Sequence, residues 1–447
     1  MSLAGRLRAL AGPFLATGEE GQAIQRSVGW LAADRVFRLA VGTVLNVWTI
    51  NYLGPGGFGL FSFAQSVVGI LAILSQLGLE TILVRDLVRH PERAREVLGS
   101  TVALRLAGAV VVLGASVATM VALRPGDRTA LGLTLVFSSI YVFLVLDVIE
   151  SWYQSQTRVA PYVVAKSVAF VLSSIAKAWA LAVRAPIEVI AATMALEYLL
   201  AAIAVVVVLR REPHAPRGWR PTRAVALQLL RDAWPLILNN VAVMLAIRLD
   251  QVMLTMMRGE RENGIYAVAP RLTEILYFIP IAIMNAAAPA LLRSHARDRG
   301  EYERRLTRVF IVLTWIALGI ALPVSLLSRW IVALLFPAYL ESAPVLAIHI
   351  WSISASFMGV GITNWFIAED RQVDLFVRSL VSVVVNVVLN LWLIPAMGAR
   401  GAALATLISQ LAAYWLANAL FPDTRRLFRL QCRSLIPVAP AAVEPAE

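Results

Sequence analysis

The chain has 447 residues, 59% of them hydrophobic and 15% charged, and a net charge of +12 carried almost entirely by arginine. Soluble domains run at about 45–50% apolar and about 25% charged, so this composition excludes a soluble protein and predicts an all-α polytopic membrane protein. The single cysteine, Cys432, excludes an intrachain disulfide framework and any multi-cysteine metal site, and retention of arginine in cytoplasmic loops explains the charge without nucleic acid.

Residues 1–26 read as a cytoplasmic amphipathic leader: their apolar core is short, is broken by Gly12 and Pro13, and precedes Glu19 and Glu20. Apolar runs then follow near 27–50, 58–80, 100–123, 131–150, 161–183 and 187–209. A second set lies near 233–257, 264–292, 309–328, 343–367, 373–395 and 400–421. Each run meets the ~20 residues that a helix needs to cross a hydrocarbon core, giving about 12 spans. Residues 211–232 form the longest polar connection, so the expected organisation is an N-terminal six-helix lobe over 27–210, a cytoplasmic linker over 211–232, and a C-terminal six-helix lobe over 233–421. The tail, 422–447, reads as a basic interfacial helix running into a Pro/Ala-rich end. Loops on the N-terminal side of the membrane carry roughly 25 Lys and Arg, and those opposite roughly 7, so both termini are expected in the cytoplasm.

The two halves repeat at an offset of about 205 residues. The stretch beginning YLGPGGFGLFSFAQ matches the one beginning MRGERENGIYAVAP: Gly59 with Gly264, Phe61 with Tyr266, and His90 with His295. Six spans per half keep both halves in one orientation, which places a pseudo-two-fold axis along the membrane normal. GPGGFG at 54–59 satisfies G-x-G-x-x-G, but it lacks the strand and βαβ unit that give the pattern meaning, and reads as a tight turn. No G-K-[ST], H-E-x-x-H or G-x-S-x-G occurs, and the outer loops are short. The chain is therefore expected to be no enzyme and to need neither cofactor nor metal.

The informative residues are ions within the spans. A charge at membrane depth costs about 2.5–3.5 kcal/mol on insertion scales, so such residues face a bundle interior or a wet cavity. Asp34, Arg35 and Arg38 lie in the first span, Lys177 and Glu197 in the fifth and sixth, Arg248 and Asp250 in the seventh, and Arg271 and Glu274 in the eighth. Helical rise puts Arg248 about 15 Å, and Arg271 about 12 Å, below the turn between their spans. Spacing pairs Asp34 with Arg38 and Arg271 with Glu274, and leaves Asp250 to hold Arg248. The bland reading is a set of neutralised pairs that lock the bundle. The functional reading is an anion site, for which the guanidinium is suited because its planar fork grips two phosphate oxygens and stays charged when desolvated. With Lys166 and Arg378 counted, the balance within the spans is positive and an anionic cargo is expected.

Three segments carry a resemblance: YLGPGGFGLFSFAQSVVGILAILSQLGL, RLDQVMLTMMRGERENGIYAVAPRLTEILYFIPIAI and SLVSVVVNVVLNLWLIPAMGARGAALATLISQ. Together with the duplication, they resemble the polysaccharide transport branch of the multidrug/oligosaccharidyl-lipid/polysaccharide exporter superfamily, the O-antigen-type flippases. The resemblance implies translocation of an undecaprenyl-pyrophosphate-linked oligosaccharide across the bacterial cytoplasmic (inner) membrane, by alternating access through a cationic central cavity. In that cavity Arg35, Arg38, Arg248, Arg271 and Lys177 would bind substrate, and Asp34, Glu197, Asp250 and Glu274 would support them or couple an ion. Implied partners are the lipid-linked anionic glycan, membrane lipids, and a polysaccharide polymerase with other assembly proteins; nucleic acid is not among them. The rival expectations are a multidrug antiporter of the same superfamily, which would favour acidic cavity residues, and a non-transporting scaffold of a polysaccharide assembly complex.

Overall fold

The computed structural model describes residues 19–436 apart from 157, 214, 215, 217 and 370. The expected leader up to residue 18 and the end of the tail from 437 lie outside the described residues. Among the described residues the structure is helical, with no strand. Among the described residues ten helices are long and apolar enough to cross a membrane, and Pro337–His349 with Ser352–Ala368, bent by 46° at their junction, are so when taken as a pair.

The difference from twelve lies in the first helix, α1, Glu19–Leu71, which holds both the 27–50 run and most of the 58–80 run. Its 53 residues would extend about 80 Å at 1.5 Å per residue, against a hydrocarbon core of ~30 Å. It is therefore not one crossing. Gly54 sits at φ 65° and ψ 173°, a conformation closed to residues with a Cβ, and Pro55 follows it. GPGGFG is thus a break of one residue, and Pro55 already stands in the next helical segment.

The helices that follow are α2, Glu80–Arg89; α3, Ala94–Leu123; α4, Arg128–Phe143; α5, Val148–Ser155; α6, Ala160–Ala182; and α7, Ile187–Arg211. Then come α8, Arg223–Arg258; α9, Glu260–Glu274; α10, Phe278–Arg297; α11, Arg299–Leu326; α12, Ser328–Leu335; α13, Ala343–His349; and α14, Ser352–Ala368. The last are α15, Gln372–Met397; α16, Ala399–Leu411, continued helically to Leu420; and α17, Arg425–Ser434. Local sequence sets several of these ends. The Asp127 carboxylate accepts from the Ala130 amide at 2.9 Å to start α4, and the Asp298 carboxylate accepts from Gly300 at 2.8 Å to start α11. The expected RGEREN turn shrinks to Gly259, at φ 90°. Glu260 and Glu262 fall in the first turn of α9, where the helix dipole favours them.

The chain divides into two compact units. The first contains α1 as far as Tyr52, then residues 71–237. Its core packs Leu79, Leu83 and Leu87 with Val148, Ile149, Trp152, Tyr153 and Tyr162. The second contains Leu53–Ile70 and everything from Leu238. Its core is built from Phe310, Leu313, Phe357, Met358 and Phe366, joined by Leu427 and Leu430 of α17. The basic stretch of the tail forms a helix whose Leu427 and Leu430 are packed into the protein.

Inside the second unit, residues 55–71 cross α9 at two glycines. A Cβ on Gly59 would lie 1.8 Å from the Glu260 carbonyl oxygen, and a Cβ on Gly264 would lie 1.8 Å from that of Pro55. Asn263, buried, donates to the Gly59 carbonyl at 2.9 Å. Pro55 and Glu260 are repeat partners, as are Gly59 and Gly264. A contact in which each partner meets the other's equivalent is what a local two-fold axis produces.

Candidate functional site

The ions predicted from sequence fall into two groups, one in each unit. In the first, α1, α6 and α7 converge on Arg38. Its Nε donates to both Asp34 oxygens, at 3.0 and 2.9 Å, and its Nη1 to Glu197 Oε1 at 3.0 Å. Ser167 Oγ donates to Asp34 at 2.5 Å, and the guanidinium lies 4.7 Å from the centre of the Phe170 ring. The Asp34–Arg38 pair stands as spacing predicts. Glu197 is also a partner of Arg38, so two carboxylates oppose one cation. Lys177, half-buried on α6, contributes to the field at Glu197. The Arg35 side chain lies outside the described residues.

Sequence reasoning missed Asp147 and Glu150, because both fall at the end of an apolar run where a charge attracts no notice. A 3₁₀ turn over Leu144–Asp147 carries the chain into α5 and brings both toward Lys166. Lys166 Nζ lies 3.3 Å from Asp147 and 3.9 Å from Glu150, and Tyr162 donates to Asp147 at 3.1 Å. These two carboxylates add to those counted from sequence. Arg38, Lys166 and Lys177 are matched by Asp34, Asp147, Glu150 and Glu197.

The second group is arranged otherwise than spacing suggested. Arg248 Nη1 lies 3.1 Å from Glu274 Oε1, both side chains being about a quarter exposed. Arg271 and Glu274, one turn apart on α9, form no ion pair with each other; α8 supplies the cation that takes Glu274. Asp250 does not hold Arg248. It is buried on the opposite side of the helix, where it accepts from Tyr266, from Thr406 at 3.2 Å and from the Gln251 amide at 2.7 Å. Three hydroxyl and amide donors replace water around that carboxylate, which is what burial of a charge requires. Gln251 in turn accepts from Ser66 at 3.0 Å.

Arg271 stands apart. Among the described residues it forms no ion pair, and its Nη2 donates to Gln65 Oε1, a neutral amide. Gln65 was not singled out from sequence, and nothing in its surroundings in the chain marks it. Arg271 is half-buried, feels the fields of the Glu274 carboxylate and of the Arg248 guanidinium, and keeps part of its donor fork uncommitted. Gly69 flanks the stem of Arg248, with 4.0 Å from a Cβ placed there to Arg248 Cγ. A guanidinium with spare donors beside a second, half-neutralised one is a setting for an anion with several oxygens.

Arg378, counted among the cations from sequence, is a structural anchor. It is buried, with Nε on Asn418 at 2.9 Å, Nη1 on the Asp374 carbonyl at 3.0 Å and Nη2 on Thr424 at 2.8 Å. The Phe366 ring lies 4.5 Å from it and the Phe421 ring 5.2 Å. Of the asparagines within the spans, Asn239 and Asn386 bridge helices, and Asn390 bonds within its own helix. Ser379 donates to Asn239 at 2.9 Å, Asn390 to Asn386 at 2.8 Å, and Asn386 to Ser409 at 3.4 Å.

Comparison with known proteins agrees with this fold. The family model described as "Polysaccharide biosynthesis protein" matches residues 24–295, more than half of the chain, and the MatE model matches 235–392. "Probable flippase AglR" of Haloferax volcanii is 29% identical over 197 residues, 42% of this chain and 40% of that protein, so the match spans less than half of the relative. Among solved structures, an inward-facing multidrug resistance MATE family transporter of the MOP superfamily superposes with a TM-score of 0.66 at 15% identity, over 91% of this chain and 96% of that one. The lipid II flippase MurJ, in an inward closed conformation, superposes with a TM-score of 0.68 at 13% identity, over 90% of each chain. At such identities the likeness is one of fold.

Proposed function

From the premise that the chain belongs to the polysaccharide biosynthesis protein family, within the MOP superfamily, we infer that it is a flippase for lipid-linked oligosaccharide. The cargo is an undecaprenyl-pyrophosphate-linked glycan, moved across the bacterial cytoplasmic membrane by alternating access, with both termini in the cytoplasm. The observation that carries this reading is Arg271, a half-buried guanidinium at membrane depth with a neutral partner and spare donors. A pyrophosphate supplies the oxygens that complete it, and Arg248 adds positive field. Glu274 is the exchangeable partner: Arg248 turns from it to the phosphate when cargo enters and back when cargo leaves. Such exchange keeps Arg248 paired at both ends of the cycle, which holds down the desolvation cost of an empty site. No bond in the cargo is made or broken, so no catalytic residue is assigned.

The test is a mass-spectrometric profile of lipid-linked glycans in a strain lacking this protein, with leaflet accessibility measured alongside. Build-up of a polyprenyl-pyrophosphate oligosaccharide facing the cytoplasm is the expected result. A second reading, an organic-cation antiporter, draws on one observation, the four carboxylates of the first unit. It predicts an unchanged glycan profile together with sensitivity to cationic dyes.

A further inference from the structure

Within the second unit, three helices leave a slot of about 390 Å³ between them. Met284 and Leu291 of α10, Leu306 of α11 and Trp365 of α14 form its buried wall, and Leu292 and Ile367 its exposed lips. Apart from Asn364 the lining is apolar, and it changes character at one end. There His295 stands in the last turn of α10, α11 begins at Arg299 and α14 is followed by Glu369. His295 and Arg299 lie 3.5 and 3.7 Å from the same Glu369 oxygen, and His295 is seated edge-on against Tyr302 at 4.9 Å. Two basic groups thus share one carboxylate at the mouth.

The surroundings of the mouth are more basic still. Residues 293–308 carry six arginines against Asp298, Glu301 and Glu303. Packed beside α11, α17 buries Leu427 and Leu430 and turns Arg425, Arg426, Arg429 and Arg433 outward; Arg426 pairs with Glu303 of α11. From Met284 to His295 the slot follows 11 residues of helix, about 16 Å of rise, which is half of a ~30 Å hydrocarbon core. A chamber as deep as one leaflet, apolar within and cationic at its mouth, has the polarity of an anionic lipid. Basic pockets between membrane helices on the arginine-rich side are where anionic headgroups gather.

We propose that this slot between α10, α11 and α14 is a binding site for an anionic phospholipid of the cytoplasmic leaflet, with one acyl chain along Met284–Leu291 and the phosphate at His295 and Arg299. The site is separate from Arg248 and Arg271 and does not depend on the identity of the cargo. A bound lipid there would tie α10, which continues from the helix carrying Arg271, to α14.

The experiment uses the full chain purified in mild detergent. Native mass spectrometry is run with phosphatidylglycerol and, separately, with phosphatidylethanolamine of matched chains. Phosphatidylglycerol is expected to bind preferentially. Arg299→Gln, an exposed change that leaves the bundle packing alone, should weaken it about fivefold, and Arg299→Lys should largely restore it. Ala288→Phe, which fills the slot, should abolish retention of both lipids. Equal binding of the two lipids, or an Arg299→Gln variant that retains phosphatidylglycerol like the parent, would overturn the assignment. So would a purified protein carrying a polyprenyl phosphate in the slot and no phosphatidylglycerol.

Discussion

Arg271 and Arg248 have different partners and should fail differently. Arg271→Ala removes the fork facing the cargo and leaves no carboxylate stranded, since its neighbour is Gln65. Transport of lipid-linked glycan into the outer leaflet of proteoliposomes should fall about 10- to 100-fold, the worth of a charge-assisted contact, with expression and thermal stability unchanged. Arg248→Ala instead orphans Glu274, whose only ion pair among the described residues is with Arg248. That variant should lose about 1–3 kcal/mol of stability, read as a lower melting temperature in detergent; the pair is part-exposed, so the cost of a fully buried one is discounted. The double variant Arg248→Ala with Glu274→Ala should regain the stability and not the transport. Restored transport in the double variant would reduce the pair to a structural lock. The existence of these ions was legible from sequence, because a charge in an apolar run is conspicuous. Their pairing was not. Arg271 and Glu274 share a helix face, and nothing in the spacing says that a cation on the preceding helix will reach the carboxylate first. Asp250 shows the same limit: its partners, Tyr266 and Thr406, are 16 and 156 residues away.

The break in α1 and the crossing of residues 55–71 with α9 belong to the scale of helices. Gly59 and Gly264 were matched in the sequence as repeats, and the structure sets them against each other's repeat partners. Backbones approach this closely only where both helices lack side chains, as in small-residue packing within membranes. Gly59→Ala or Gly264→Ala forces the helices apart against backbone atoms, and each should cost about 1–3 kcal/mol, seen as lower folded yield and melting temperature. Because either methyl group opens the same gap, the double variant should cost less than the sum of the two. Strict additivity would mean that the contacts are independent and the crossing is not a single joint. Helix number and type were readable in advance because hydropathy reports length and burial together. The boundaries were less so: the expected turns at 54–59 and 258–263 proved to be single glycines, Gly54 and Gly259, at positive φ. A run of turn-forming residues signals a reversal without saying which one of them leaves the helix.

At the scale of the whole molecule the charge asymmetry of the loops makes a claim that can be measured directly. Opposite-sided loops with roughly 25 and roughly 7 basic residues fix an orientation under the positive-inside rule, and the proposed direction of transport requires it, since the cargo is loaded from the cytoplasm. The chain suits cysteine mapping because it has one cysteine to remove, Cys432. In a Cys432→Ala background, Arg329→Cys, exposed at the start of α12, should react with a membrane-impermeant maleimide in intact cells. Arg304→Cys, on the arginine-rich stretch that opens α11 and 73% exposed, should react only after permeabilisation. The two positions lie at opposite ends of the same long helix and its continuation, so one experiment reads both faces. Labelling of residue 304 in intact cells would invert the molecule. It would turn the lipid slot toward the outer leaflet, where its basic mouth has no anionic surface to meet, and would make Arg271 accessible first from the wrong side for export.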